Sequence, residues 1–354
     1  MLYREVGQFK TSYQKDMAIF PIAQDRLFIY GLVAFAFLGI PLFASNYFYT
    51  EILIPVLILS LAAIGLNVLT GYCGQLSLGT GGFMAAGAYA AYNIALRLPE
   101  TNILLVFLFA GLATTLVGIL FGLPSLRIKG FYLAVATLAA QFFLEWTFAR
   151  VKWFTNYSSS GSVSVKPVNL FGITIDAPVE KYILVLTIVI VLGFVAKNLV
   201  RGSIGRAWMA VRDMDIAAEI IGIRPLRAKL SAFAVSSFYI GIAGALWAFM
   251  RLGSWEPLAF DINRSFQVLF MVIIGGLGSI LGSFLGAAFI VVTPLILNQF
   301  PTWLGIPMST ALIAHIEVML FGTLIVFFLI VEPHGLARLW TIAKEKMRLW
   351  PFPY

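Results

Sequence analysis

Long apolar runs separated by short polar stretches recur from residue 27 to residue 331. An α-helix rises 1.5 Å per residue, so about 20 apolar residues carry the chain across about 30 Å of hydrocarbon. Hydrophobic windows read against Gly, Pro and charged breakers place spans at 27–44, 51–70, 75–97, 102–122, 131–149, 181–199, 230–250, 265–275, 281–297 and 311–331. That makes ten crossings. The alternating pattern of a lipid-facing barrel strand is absent, so the expected fold class is all-α, a polytopic transmembrane helical bundle. Residues 265–297 form an almost uninterrupted apolar run split by Gly275-Gly276-Leu277-Gly278-Ser279, with a first half too short for a full crossing. It reads equally as two spans or as a broken, re-entrant helix, and one or two broken helices belong to the expectation.

The polar positions orient the bundle. Basic residues cluster in three connections: Arg127 and Lys129; Lys197, Arg201, Arg206, Arg212, Arg224, Arg227 and Lys229; and Arg338, Lys344, Lys346 and Arg348. With ten crossings and the N-terminus inside, all three lie in the cytoplasm, and so does the C-terminus. The chain then divides into a cytoplasmic segment (1–26), a transmembrane domain (27–331) and a basic cytoplasmic tail (332–354). Within the domain, an outer loop (151–180) carries Ser158-Ser159-Ser160-Gly161-Ser162, and a cytoplasmic loop spans 200–229. Small residues at four-residue spacing (Gly82, Ala86 and Ala90; Gly241 and Ala245; Gly278, Gly282 and Gly286) read as faces where helix backbones approach closely.

Composition agrees with a membrane chain and removes other classes. Hydrophobic residues make up 60% of 354 and charged residues 11%, too few to cover a water-soluble globule. The net charge of +8 sits in the connections, as a bilayer arranges it, and not in a patch for nucleic acid. A single cysteine, Cys73, excludes an internal disulfide, and no His/Cys cluster has metal-ligand spacing. Residues 1–26 mix charges with only short apolar stretches, so they are no cleaved signal sequence. No nucleophile–base pair lies within an apolar span, which leaves little for a membrane-embedded enzyme.

One segment of the cytoplasmic loop, Gly205 to Gly222, is charged and helix-forming in an otherwise apolar chain. Asp213 or Asp215 can cap a helix, Ile216, Ile220 and Ile223 fall on one face, Ala217 and Ala218 keep it slim, and Gly222 followed by Pro225 stops it. Such a helix either docks into a groove of a soluble partner or lies on lipid headgroups with Arg206, Arg212, Arg224 and Arg227.

Glu219, after Ala217-Ala218 and before Gly222, resembles the coupling signature of permease subunits in bacterial ATP-binding-cassette importers. The longer runs Gly205–Lys229, Gly241–Leu246 and Ile273–Gly282 are similar to the branched-chain amino acid permeases of the LivM type. So are Asn67-Val68-Leu69-Thr70-Gly71-Tyr72-Cys73-Gly74-Gln75-Leu76-Ser77-Leu78-Gly79 and Leu126-Arg127-Ile128-Lys129-Gly130-Phe131-Tyr132-Leu133-Ala134. The motifs occur in the family's order over about residues 60–290. Two departures stand out: Thr80-Gly81-Gly82 replaces the family's usual His-Ala-Ala, and the serine tract replaces its usual outer-loop Thr-Gly-Gly-x-x-Gly.

The resemblance implies half of an importer in the bacterial inner membrane. A second, LivH-like permease subunit would pair with this chain, two ATPase subunits would dock from the cytoplasm, and a soluble solute-binding protein would deliver cargo outside. The solutes implied are branched-chain or other hydrophobic amino acids first, and urea, short amides or organic or aromatic acids behind them. The chain has no Gly-x-x-x-x-Gly-Lys-Ser/Thr phosphate loop, so ATP and Mg would be bound by the partner subunits and no cofactor by this one. Arg212, Asp215, Ala217, Ala218, Glu219 and Gly222 are the expected coupling residues, and Gly71, Gln75, Ser77, Gly79, Gly275, Gly276 and Gly278 the expected translocation path. Broken helices at those glycines would expose backbone donors and acceptors to a passing zwitterion. A rival class, a proton-coupled secondary carrier, would use Glu145, His315 or Glu317. Arg251, Glu256, Asp261 and Arg264 flank an outward turn and read as a docking rim for the binding protein or a solvated loop.

Overall fold

The computed structural model of the chain describes residues 11–12, 23–125, 132–158, 160–165, 168–170, 172–304, 309–331 and 334–349. Helix α1 (Ala23–Ala34) continues through a π-helical turn, Phe35–Gly39, into Ile40–Phe43. Helix α2 (Ile54–Asn67) is flanked by π-helical turns on both sides, Phe48–Leu53 and Val68–Tyr72. Then come α3 (Thr80–Arg97), α4 (Ile103–Ser125) and α5 (Tyr132–Arg150). Short strands β1 (Val163–Ser164), β2 (Val168–Leu170) and β3 (Ile173–Ile175) precede α6 (Pro178–Arg201). Two short helices, α7 (Ser203–Asp213) and α8 (Asp215–Ile220), lead into α9 (Pro225–Leu246), which a π-helical turn extends over Trp247–Leu252. Strand β4 (Ser254–Trp255) and a 3₁₀ turn (Pro257–Phe260) are followed by α10 (Ile262–Gly275), α11 (Ile280–Leu304), α12 (Thr310–Val331) and α13 (Gly335–Leu349).

The starts of the long helices follow local chemistry. Pro178 and Pro225 open α6 and α9, where a missing N–H costs nothing. Glu180 reaches back to accept from the backbone N–H groups of Asp176 and Ala177 at 3.1 and 3.3 Å. Asp261 caps α10 by accepting from the Arg264 N–H.

Seven helical stretches among the described residues are long and apolar enough to cross a bilayer: Gln24–Phe43, Phe48–Tyr72, Ile103–Leu123, Pro178–Arg201, Pro225–Leu252, Pro257–Gly275 and Ile280–Gln299. The windows at 75–97, 131–149 and 311–331 also coincide with helices, α3, α5 and α12. Helix α3 is less greasy because protein surrounds it: Phe83, Met84, Ala88, Tyr89 and Ala91 are all buried. By contrast α1 and α4 present Leu42, Phe43, Leu116 and Leu120 outward, a surface whose natural solvent is lipid.

Helix α9 is central, packing against α2, α3 and α4. The approach is close enough to forbid side chains. A Cβ on Gly87 would strike the Gly241 carbonyl, and one on Gly244 the Met84 carbonyl. Of the sequence stripes, Gly241 is used as expected, while α3 contributes Gly87 at the crossing beside Ala86. Helices α10 and α11 lie side by side as a hairpin, with Gly275 against Gly282 and Gly286 against the Met271 carbonyl. The four-residue connection depends on Gly276 (φ 122°) and Gly278 (φ 74°), backbone that other residues rarely adopt. The apolar run 265–297 is thus two helices and a turn.

The window at 75–97 differs from its expectation. Helix begins only at Thr80, and residues 74–79 are unwound. Leu76 and Leu78 make this stretch look like helix by hydropathy, but side chains of neighbouring helices hold its backbone instead. The Leu78 N–H donates to Thr137 Oγ1 of α5 at 2.9 Å.

The bundle has two chemically distinct ends. At the basic end lie α7, α8, the α10–α11 turn and the start of α13, and Lys344 of α13 pairs with Asp25 of α1 at 2.9 Å. At the far end, β1 pairs antiparallel with β4, Val163 opposite Trp255, and the Arg97 guanidinium stacks 3.9 Å from the Trp153 ring centre.

Candidate functional site

The segment carrying the expected coupling residues is anchored before it is exposed. Trp208 of α7 is completely buried and donates its indole N–H to Ser231 Oγ of α9 at 2.9 Å. Met214 is extended (φ −160°, ψ 101°) and separates α7 from α8. Neither candidate aspartate caps a helix: Arg212 holds the Asp213 carboxylate through Nε (2.9 Å) and Nη2 (2.8 Å), and Asp215 faces Lys229 at 3.9 Å. Gly222 does stop α8, with φ 89°. The Ile223 N–H donates to the Ala218 carbonyl and the Gly222 N–H to the Glu219 carbonyl, both at 3.0 Å, a Schellman termination with Pro225 beyond it.

What this turn presents is apolar. Met214 and Ile216 are each 66% exposed, Ile220 81% and Ile221 72%, whereas Ala218 is buried against the bundle. Ile223 turns inward to the core, so Ile221 takes its place on the outer face. Ala217 and Glu219 are exposed beside these residues, and a groove of about 460 Å³ runs between Trp208, Gly222 and Ile223. Three isoleucines and a methionine in the open, at the most basic end of the molecule, form a surface that wants a partner.

Arg212 ties that surface to the bundle. Its Nη1 donates to the Gly71 carbonyl at 2.9 Å, and its side chain fills the space that a Cβ on Gly74 (φ 72°) would need. Gly71 in turn abuts the α10–α11 turn, since a Cβ there would strike the Gly278 nitrogen and Asn67 Oδ1. Asn67 is buried and fully used. Its Oδ1 accepts from the Gly278 N–H at 2.8 Å, and its Nδ2 donates to the carbonyls of Ser279 (2.9 Å) and Gly276 (3.3 Å) and to Ser283 Oγ (3.0 Å). Gly276 also packs under the His334 carbonyl at the start of α13. The two glycine motifs, distant in sequence, therefore meet at one junction with the coupling segment.

A second polar knot lies deeper, where α3 begins. Gln141 of α5 accepts from the Gly82 N–H and from Ser265 Oγ (3.0 Å) and donates to the Phe260 carbonyl (2.9 Å). Ser265 accepts from the Gly81 N–H at 2.7 Å. The first N–H groups of α3 are thus satisfied internally. Between the two knots runs the unwound stretch, with Gln75, Ser77 and Gly79 buried along it. Gln75 Oε1 and Thr80 Oγ1 are buried with no hydrogen-bond partner among the described residues. Burial pushes the Cys73 thiol up to about 12, so it stays a neutral packing group.

Of the expected path residues, Gly71, Gly276 and Gly278 come together at the junction, Gly275 serves the hairpin contact, and Gln75, Ser77 and Gly79 line the unwound stretch. Asn67, Gln141, Ser265 and Trp208 carry these contacts without standing out in the sequence. Lone amides within apolar windows are the signal that marks the first two, because such groups are buried only when paired. Residues 126–131 of the second signature lie outside the described residues. Glu145 lies on α5, while His315 and Glu317 lie on α12, which packs against α10 and α11.

Residues 48–332 match the family described as branched-chain amino acid transport system / permease component. The chain is 30% identical, over 336 residues, to the high-affinity branched-chain amino acid transport system permease protein LivM of Salmonella typhimurium, covering 88% of this chain and 75% of that protein. It is 32% identical over 298 residues to the protein of the same name in Escherichia coli (77% and 66%). It is 23% identical over 279 residues to a probable LivM of Methanocaldococcus jannaschii (74% and 78%). No solved structure matches the chain. Matched over most of its length to proteins of this kind, the chain is a multi-pass inner-membrane protein and belongs to the family of branched-chain amino acid transport permeases.

Proposed function

We propose that the chain forms half of the translocation path of an ATP-binding-cassette importer for branched-chain amino acids. Ten crossings would put both termini and the basic end in the cytoplasm, because all three basic connections then share one side. A second, LivH-like permease completes the path, two ATPase subunits bind at the basic end, and a soluble binding protein supplies solute at the far end. ATP and Mg belong to the ATPases.

The observation that carries the reading is the linkage of an exposed apolar turn, Met214 to Ile221, to the Gly71–Gly278 junction through Arg212. Helix α8 acts as a lever. An ATPase groove grips Ile216, Ile220 and Ile221, with Glu219 and Ala217 at its edge and Gly222 and the Asp215–Lys229 pair fixing its shape. Closure of the ATPases pulls α7 and, through Arg212, the ends of α2 and of the α10–α11 hairpin, which biases outward-open against inward-open states. Gly71, Gln75, Ser77, Gly79, Gly275, Gly276 and Gly278 border the route that responds. The unpartnered oxygens of Gln75 and Thr80 support a route along the unwound stretch, since polar atoms there gain by meeting water or solute.

A proton-coupled carrier is not favoured. The family is one of transport permease subunits, and Glu145 stands on a different helix from His315 and Glu317. Replacing Glu219 with Lys, or Gly222 with Leu at its positive φ, is expected to abolish leucine uptake by the reconstituted importer while both variants insert at normal levels. Uptake that survives both changes rejects the docking role.

A further inference from the structure

The residues that read in sequence as an outward rim, Arg251 and Arg264, turn inward instead. They line a cavity of about 420 Å³ at the far end of the bundle, between α2, the π-helical turn after α9, α10 and α11. Arg251 Nη2 pairs with Glu51 Oε2 at 2.6 Å. Both members of that pair sit in π-helical turns, Phe48–Leu53 and Trp247–Leu252, a geometry that recurs at functional positions. Arg264 lies 4.5 Å from the centre of the Trp247 ring and donates from Nη1 to Gln267 Oε1 at 2.6 Å. Its neighbour Asp261 does not neutralise it by contact, because that carboxylate accepts from the Arg264 backbone N–H and from Asn263 Nδ2. Trp247 Nε1 is buried with no hydrogen-bond partner among the described residues.

Two guanidinium groups and one carboxylate therefore line the cavity, with Asp261 acting on Arg264 from outside it and the Trp247 ring forming part of the wall. The opposite wall is apolar: Leu59 from α2 and Ile290, Val291 and Pro294 from α11. A cavity with surplus cationic donors, one carboxylate and a greasy wall has the chemistry of an α-amino acid with an aliphatic side chain. The geometry points to this cavity as an entry subsite for a free hydrophobic amino acid. Arg264, held on the Trp247 ring, takes the α-carboxylate, Glu51 takes the ammonium in exchange for part of its hold on Arg251, and Leu59, Ile290 and Pro294 receive the side chain. The proposal rests on the reading of the chain as an amino acid permease, and it places the first permease contact at the far end.

Radiolabelled leucine in equilibrium dialysis against the purified importer, without its binding protein, tests it. The wild type is expected to bind leucine saturably. Arg264→Gln should lose about tenfold or more of that affinity, as sites built to pair a polar group do when a partner is lost. Trp247→Phe should lose several-fold, because the smaller ring holds the Arg264 guanidinium less well. Isoamylamine, which lacks the carboxylate, should compete at least about tenfold more weakly than leucine. Co-elution of each variant with the ATPase subunits and the partner permease on size-exclusion chromatography reports that it is folded and assembled, and Arg264→Lys provides a milder second variant. Absence of saturable binding to the wild type, or unchanged affinity in Arg264→Gln and Trp247→Phe, overturns the subsite. Displacement of a bound species by glycerol phosphate and not by leucine would give the cavity to a lipid headgroup and overturn it equally. Failure of the wild-type importer to accumulate leucine with ATP and binding protein would instead reject the functional reading itself.

Discussion

At the scale of single residues, Asn67 does the most with the least. One amide joins α2 to the α10–α11 turn through four hydrogen bonds, satisfying a backbone N–H and two carbonyls that the glycine turn would otherwise leave bare. Leucine at this position would be nearly isosteric and would orphan all of them, at about 1–3 kcal/mol for each buried group. Asn67→Leu is therefore expected to lower the Tm of the purified protein by at least about 5 °C. An unchanged Tm would mean that the turn holds itself without the amide. In the sequence Asn67 stands in a signature, but the glycines after it are easier to read, because a glycine advertises backbone geometry while an amide's partners lie more than 200 residues away. The capping aspartates fail for a local reason instead. Asp213 has a helix-capping composition, yet Arg212 beside it is the stronger partner for its carboxylate.

At the scale of elements, periodicity and length located the helices well. Every apolar window found a helix, and Gly222 with Pro225 ended α8 where their chemistry says it should end. A break near Gly71–Gly79 is expected from the glycines, but the apolar window still starts the helix at 75 instead of 80, because hydropathy measures side chains, whereas the conformation of 74–79 is decided by Thr137 and Gln141 on α5, which capture backbone N–H groups there and at the start of α3. The crossing of α3, α4 and α9 shows the converse. Gly241 has Thr114 on one side and Gly87 on the other, with no room for a side chain. Gly241→Val should force the helices apart at a cost of about 3 kcal/mol or more, so little monodisperse protein should be recovered on size-exclusion chromatography. Gly322→Ala, where nothing lies within 4 Å, is the matched control and should behave as wild type. Equal recovery of the two would show that close backbone approach is not what holds α9.

At the scale of the whole molecule, the chain is a bundle with a handle. The apolar turn at the basic end is covered by none of the described residues, but its root is hydrogen-bonded to the place where two helix-breaking motifs meet. Force applied at α8 has a short route: Arg212 to Gly71, Gly71 to Gly278, and Asn67 into α2, α10 and α11. The handle was legible in the sequence as a charged helix in an apolar chain; its attachment was not, because Arg212 and Gly71 are 141 residues apart. If coupling runs through this route, the number of leucine molecules imported per ATP hydrolysed by the reconstituted importer falls when the route is cut. Arg212→Gln is expected to keep hydrolysing ATP with the ratio reduced by about tenfold or more, as the ATPases turn over a lever no longer tied to the bundle. A ratio equal to that of the wild type would contradict it.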